Sequence, residues 1–207
     1  IRLPEVFMLD ESGALDLQTY KINLSIIEAL IKEEDIVIDS VDENRYGVDL
    51  NQNGSLDTAQ KIVFAWQKPN YDSGTGKISG FSMSYVGKAK SMLESNEHLI
   101  APGLYPEGTE FLHTVRYIDV NQSNDTISMA DRMKELRYGK KTSWNTYSQL
   151  QNFAASEAKE KDAFPERLRQ IMGNSETGLE TGHGWTYQGF IEDENGELRP
   201  QNYEETM

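Results

Sequence analysis

Cysteine is absent from all 207 residues. That excludes a disulfide framework and any thioether bond to a prosthetic group, and it leaves the redox compartment unmarked. Apolar runs are short as well, and no segment approaches the length needed to cross a bilayer. No signal-peptide pattern remains, which leaves removal of one before Ile1 open. Positive charge is scarce: 20 Lys and Arg stand against 34 Asp and Glu, for a formal net charge of −14. Such a balance argues against binding a phosphate backbone, which needs clustered cations, so nucleic acid is excluded as a partner. There is no internal repeat and no low-complexity tract. No Ser-His-Asp arrangement can be argued, since nothing marks an activated serine.

What is present suffices for a folded core. Hydrophobic residues make up 37% and aromatic residues 10%, well above a disordered composition. The length fits a single domain over residues 1–207, with a helical part at 1–70 and a sheet with a helical insert at 77–207. Leu15 to Glu34 reads as a helix, with Leu24, Ile27 and Ile31 at three- and four-residue steps and Ile26 and Leu30 widening the stripe. Ile36 to Val41 reads as a buried strand, Tyr71 to Lys77 as a turn, and Phe81 to Tyr85 as an alternating strand. Thr109 to Val120 is another strand, with Phe111, His113, Val115 and Tyr117 on one side. Three helices are then predicted: Ser128 to Arg137, one opened by a capping box at Thr146 and Gln149, and one from Pro165 closed by Gly173. Strands around a helical insert predict an α+β fold with an antiparallel sheet.

Oxygen-bearing side chains recur at every second residue in Asp49-Leu-Asn51-Gln-Asn53-Gly54-Ser55-Leu56-Asp57. This spacing matches the first nine positions of an EF-hand calcium loop, with Gly54 at the sharp turn and Ser55 offering its carbonyl. It departs at the twelfth position, where Gln60 replaces the bidentate Glu. Calcium at Asp49, Asn51, Asn53, Ser55 and Asp57 is the expectation; a solvated Asx-rich turn is the plainer alternative. Asp119, Asn121, Ser123 and Asp125 repeat the spacing without the glycine, and capping explains them as well. Asp72 to Lys77 lacks the full phosphate-loop spacing and reads as a turn. His113, between Phe111 and Val115, reads as a core histidine, and His183 between glycines as exposed. The basic run Arg132 to Lys141 is a solvated helix face, or alternatively a dock for a haem propionate or an acidic partner.

Gly182 to Met207 reads as an aromatic hairpin, with Trp185, Tyr187 and Phe190 in a strand and Asn195-Gly196 in the turn. An ordinary half-buried hairpin accounts for these residues alone. The order Gly-x-Gly-Trp-x-Tyr-x-x-Phe-x-x-Asp-x-x-Gly, with Pro106-Glu-Gly-Thr109 upstream, resembles the hydroxylamine-oxidising cytochromes with lysine-cross-linked haem and the related β-sheet cytochromes c-prime. The resemblance covers the second half of the chain and omits the family's Cys-x-x-Cys-His. It implies redox chemistry or electron transfer at a haem c attached beyond Met207, with Trp185, Tyr187 and Phe190 as the pocket wall. It also implies a small-molecule or redox-protein partner and a periplasmic or secreted location, in a piece of a longer chain. The competing reading is a secreted, calcium-stabilised binding or structural module without haem.

Overall fold

The computed structural model describes residues 1–121, 123, 125–167, 172–202 and 204–205. Its fold is α+β with antiparallel strand pairing, and its contacts divide it into two compact units, 3–107 and 1–2 with 108–207.

The unit 3–107 holds the hydrophobic core. Helix α1 (Leu17–Lys32) starts where Asp16 accepts the N–H groups of Gln18 and Thr19, and ends at Glu33 in the left-handed conformation. It buries Ile22, Ile26, Ile27 and Leu30, so the core stripe is centred on Ile22-Ile26-Leu30, with Leu24 and Ile31 at its margin. Against it lie Leu3, Phe7, Tyr85, Val86 and Leu93. Strands β1 (Ile36–Asp42) and β2 (Thr58–Ile62) form an antiparallel pair, and β3 (Asn70–Tyr71) and β4 (Ile78–Ser79) close a small hairpin. Strand β1 is only partly buried, with Val37 86% exposed, in place of the buried strand expected there. The short helix α2 (Lys88–Glu94) follows.

Phe81 to Tyr85 is not a strand, despite its alternation. Beside it, the wholly buried Asn23 side chain does what a neighbouring strand would do. Its Oδ1 accepts the Val86 N–H (2.9 Å), and its Nδ2 donates to the carbonyls of Val86 (3.2 Å) and Phe7 (3.0 Å). A side-chain amide carries both a donor and an acceptor, so it can satisfy buried backbone without a ladder.

His98 sets its ring edge-on to Phe7, centroids 5.4 Å apart. Burial pushes its pKa below 6.5, with Glu107 and Glu97 opposing. The unfolded chain therefore binds the proton more readily. His98's contribution to stability is complete above about 6.5 and is lost as pH falls towards the lower folded value. Thermal melts between pH 7.5 and 5 should show a decline in Tm that is shallower in His98→Gln. Identical slopes in the two proteins would rule His98 out as the cause.

The unit 108–207 is built on one sheet. Strands β5 (Glu110–Asn121) and β6 (Thr126–Lys141) pair as a long ribbon, and helix α3 (Tyr147–Ala163) is inserted after them. β7 (Met172–Asn174), β8 (Gly178–Glu180), β9 (Trp185–Glu192) and β10 (Leu198–Pro200) follow, in the order β5-β6-β9-β8-β7 with β10 also on β9. The capping box forms as expected: Thr146 accepts the Gln149 N–H, and Gln149 Oε1 accepts the Thr146 N–H at 2.8 Å. Ser128 to Arg137 is strand, not helix, because it pairs along its length with β5. Gly173 lies in β7 rather than at a helix end, and 168–171 of the helix expected there fall outside the described residues. Among the described residues, no helix is long and apolar enough to cross a membrane.

None of the buried apolar side chains among the described residues lies in this second unit. The ribbon extends past the end of β9, and there Ile118 faces Met129 and Val120 faces Ile127, all four exposed.

Candidate functional site

Pairing between β6 and β9 runs without a break from Leu136–Phe190 to Lys141–Trp185. Side chains alternate along a regular strand, so Trp185, Tyr187, Gly189 and Ile191 share one face while Phe190 points to the other. Gly189 marks no bulge. The expected wall is thus made of Trp185 and Tyr187, whose rings are 11° from parallel with centroids 6.1 Å apart. Phe111 of β5 packs against Trp185 at 5.5 Å, and the Lys141 ammonium sits 5.1 Å over the Trp185 ring.

A cleft of about 890 Å³ opens on this face, lined among others by Phe111, His113, Arg137, Leu179, Tyr187 and Gln201. Two glycines shape it. A β-carbon at Gly139 would fall 2.7 Å from Tyr187 Cε1, so the bare backbone lets the tyrosine ring lie down across β6. At Gly189 a β-carbon would coincide with the end of the Gln201 side chain. Gln201 comes in just after β10, its N–H on the Gly189 carbonyl at 2.9 Å, and its amide donates to Glu135 Oε2 at 3.1 Å. Arg137 pairs with the other Glu135 oxygen, and this bond first, then Gln201, holds the Glu135 carboxyl below its usual range against partial burial. At the rim a two-bond Arg199 pair, at 2.8 and 2.9 Å, holds Glu205 at about 2. Glu135 and Glu205 are therefore ionised, each matched by an arginine.

His113 is exposed beside this cleft rather than in a core, and the basic run Arg132 to Lys141 lies on β6, not on a helix face. His183 is half-buried, its ring edge-on to Phe153 and its Nδ1 3.0 Å from the Thr181 carbonyl. Residue spacing could not have found His113, Arg137 and Gln201 together, because pairing between distant strands unites them. The available signal was glycine inside two strands, at 139 and 189.

The loop 49–57 has another organisation. Asp49 accepts the N–H groups of Gly54 (2.8 Å) and Asn53 (3.2 Å), and the Asn53 amide donates to both Asp57 oxygens. Asn51 and Asn53 accept the N–H groups of Asn53 and Ser55 at 3.0 and 2.8 Å, as Asx turns do. Glu43, wholly buried, closes the loop: Oε1 accepts Leu50 N–H (2.6 Å) and Asn51 N–H (3.1 Å), and Oε2 accepts Asp57 N–H (3.0 Å). Among the described residues, no group of three or more His, Cys, Asp or Glu could hold a metal ion. Calcium is accordingly withdrawn as a cofactor. The fainter series Asp119 to Asp125 sits at the turn of the β5–β6 ribbon, not before a helix.

Residues 1–207 match the family model described as ":-like lipoprotein". The chain belongs to this lipoprotein family. Over 206 residues the lipoprotein is 29% identical to an uncharacterized lipoprotein of Aquifex aeolicus (strain VF5), a match covering 100% of this chain and 28% of that protein. The chain thus spans under a third of its curated relative's length. No solved structure matches. These findings overturn the cytochrome resemblance: neither match is a cytochrome, and a lipoprotein chain without cysteine forms no thioether to haem c. The haem expected beyond Met207 and the redox and electron-transfer reading fall with it. Membership in a lipoprotein family implies an extracytoplasmic, lipid-anchored setting for the lipoprotein.

Proposed function

We propose that this chain is a binding module of an extracytoplasmic lipoprotein, without haem, that holds its ligand on the cleft face of the sheet in 108–207. Tyr187, flanked by Phe111, is its ligand-facing aromatic, and the periplasmic face of a membrane is its place of work. The observation that carries this reading is the cleft itself. An aromatic floor, a side-chain amide, an imidazole and a paired guanidinium and carboxylate converge on one concavity, the usual composition of a ligand site. Phe190, on the opposite face, takes no part.

A thermal-shift screen of polar small molecules tests this, because a ligand bound only by the folded state raises Tm. Hits should lose their shift in Tyr187→Ala and His113→Ala. They should keep it in Leu112→Ala, whose exposed side chain alternates to the opposite face of β5. A set of hits indifferent to all cleft substitutions would defeat the reading.

A further inference from the structure

Three properties of the cleft narrow the chemistry it would accept. Its floor is aromatic and flat: Gly139 lets the Tyr187 ring lie against the backbone, and that side chain is still 47% exposed. Phe111 shares the cleft lining with it, whereas Trp185, on the same face of the sheet, carries the Lys141 ammonium over its ring and does not line the cleft. Next to the rings, Gln201 is held flat over Gly189, its amide bonded to Glu135. A side-chain amide offers donors and an acceptor within one small group. Finally, the charges are balanced. Arg132, Lys134 and Arg137 share the cleft with Glu135, Glu192 and Glu205, and the pairs Arg137–Glu135 and Arg199–Glu205 are already made.

A strongly charged ligand would meet as much repulsion as attraction here, and a wholly apolar one would desolvate the imidazole, the amide and the Arg137–Glu135 pair without offering them a hydrogen bond. A ring with one face of C–H groups and a rim of hydroxyls meets both conditions. The C–H face lies on Tyr187, beside Phe111, and the hydroxyls, each a donor and an acceptor, reach Gln201, His113 and the outer atoms of the Arg137–Glu135 pair.

We propose that the cleft binds an uncharged glycan, seated on Tyr187 and hydrogen-bonded by Gln201 and His113. This rests on the binding-module reading and names its ligand class. Gly139 is the residue that makes the seat, because any side chain there lifts the Tyr187 ring off the sheet.

Calorimetric titration of the chain with chitohexaose and with cellohexaose tests it. At least one should bind, with affinity reduced tenfold or more in Tyr187→Ala and in Gly139→Val and kept within about threefold in Tyr187→Phe, which preserves the ring. Circular dichroism and Tm of each variant separate loss of the seat from loss of the fold, and Tyr187→Phe provides the second check if Gly139→Val fails to fold. Oligosaccharide binding unchanged in Tyr187→Ala would overturn the proposed seat. If neither oligosaccharide binds while other hits depend on the cleft, the glycan assignment falls and the binding module stands. If nothing binds in a cleft-dependent way, both fall.

Discussion

Glu43→Ala should lower the unfolding free energy by about 4 kcal/mol, since hydrogen bonds to a charged group are worth roughly 1.5–3 kcal/mol each and the contributions are not additive. The carboxylate is wholly buried and accepts three backbone N–H groups, from Leu50, Asn51 and Asp57. Alanine leaves all three donors facing a cavity. Glu43→Gln is the informative control. It keeps one oxygen for Leu50 and Asn51 but turns an amide NH₂ towards the Asp57 N–H, so about half the loss is expected. Urea unfolding followed by far-UV circular dichroism gives both values. Amide exchange at Leu50, Asn51 and Asp57 should accelerate in parallel. A Glu43→Ala protein within 1 kcal/mol of the parent, an amount near the net value of one ordinary hydrogen bond, would show that water substitutes for the carboxylate and that the clamp is dispensable.

Asn23→Leu is the second large effect, at about 3–5 kcal/mol, because an apolar side chain of similar size leaves a buried N–H and two buried carbonyls without partners. The donor and acceptor of the amide are both in use, towards Val86 and Phe7. Asn23→Asp should fare no better: its carboxylate can accept from Val86 but cannot donate to either carbonyl, and it brings a charge into the core. Both variants should lower the urea midpoint without changing the slope. A midpoint for Asn23→Leu equal to that of the parent would mean that the segment after Phe81 is held by packing alone.

Asn23 also explains a limit on what could be read from residue order. Phe81, Met83 and Tyr85 alternate with serines as a strand should, yet a strand is defined by a partner, and here a side chain on α1 takes the backbone instead. Local periodicity carries no information about that competitor. The segment 128–137 failed for a different reason. Met129, Met133 and Leu136 fall at helical steps, whereas the register shifts opposite Val115, Arg116 and Ile118 interrupt the two-residue alternation that would have revealed β6. Where signals were local they were legible: the Asp16-capped helix, the Thr146–Gln149 box and the strand through Trp185 all lie within a few residues of expectation. The aromatic half of the candidate site was legible as well, because Trp185 and Tyr187 are two apart in one strand. Its polar half was not, since Gln201 reaches Glu135 across 66 residues of chain. The 49–57 loop shows the converse error, a well-spaced set of oxygens whose partners are the loop's own N–H groups and whose closing carboxylate lies outside the spacing, at Glu43.

The long β5–β6 ribbon bears on the order in which the sheet is made. Its two strands are joined by only the four residues 122–125, so the ladder can zip from its turn, and hairpins close in about 1–10 μs. β9 arrives 43 residues after β6 ends, and β10 with Gln201 later still, at the higher entropic cost of a larger loop. A chain emerging amino end first would therefore hold the finished ribbon before it possesses Tyr187, Gly189 or Gln201. The cleft is completed only after the ribbon, and a stop ahead of β9 leaves two paired strands with nowhere for a ligand to sit.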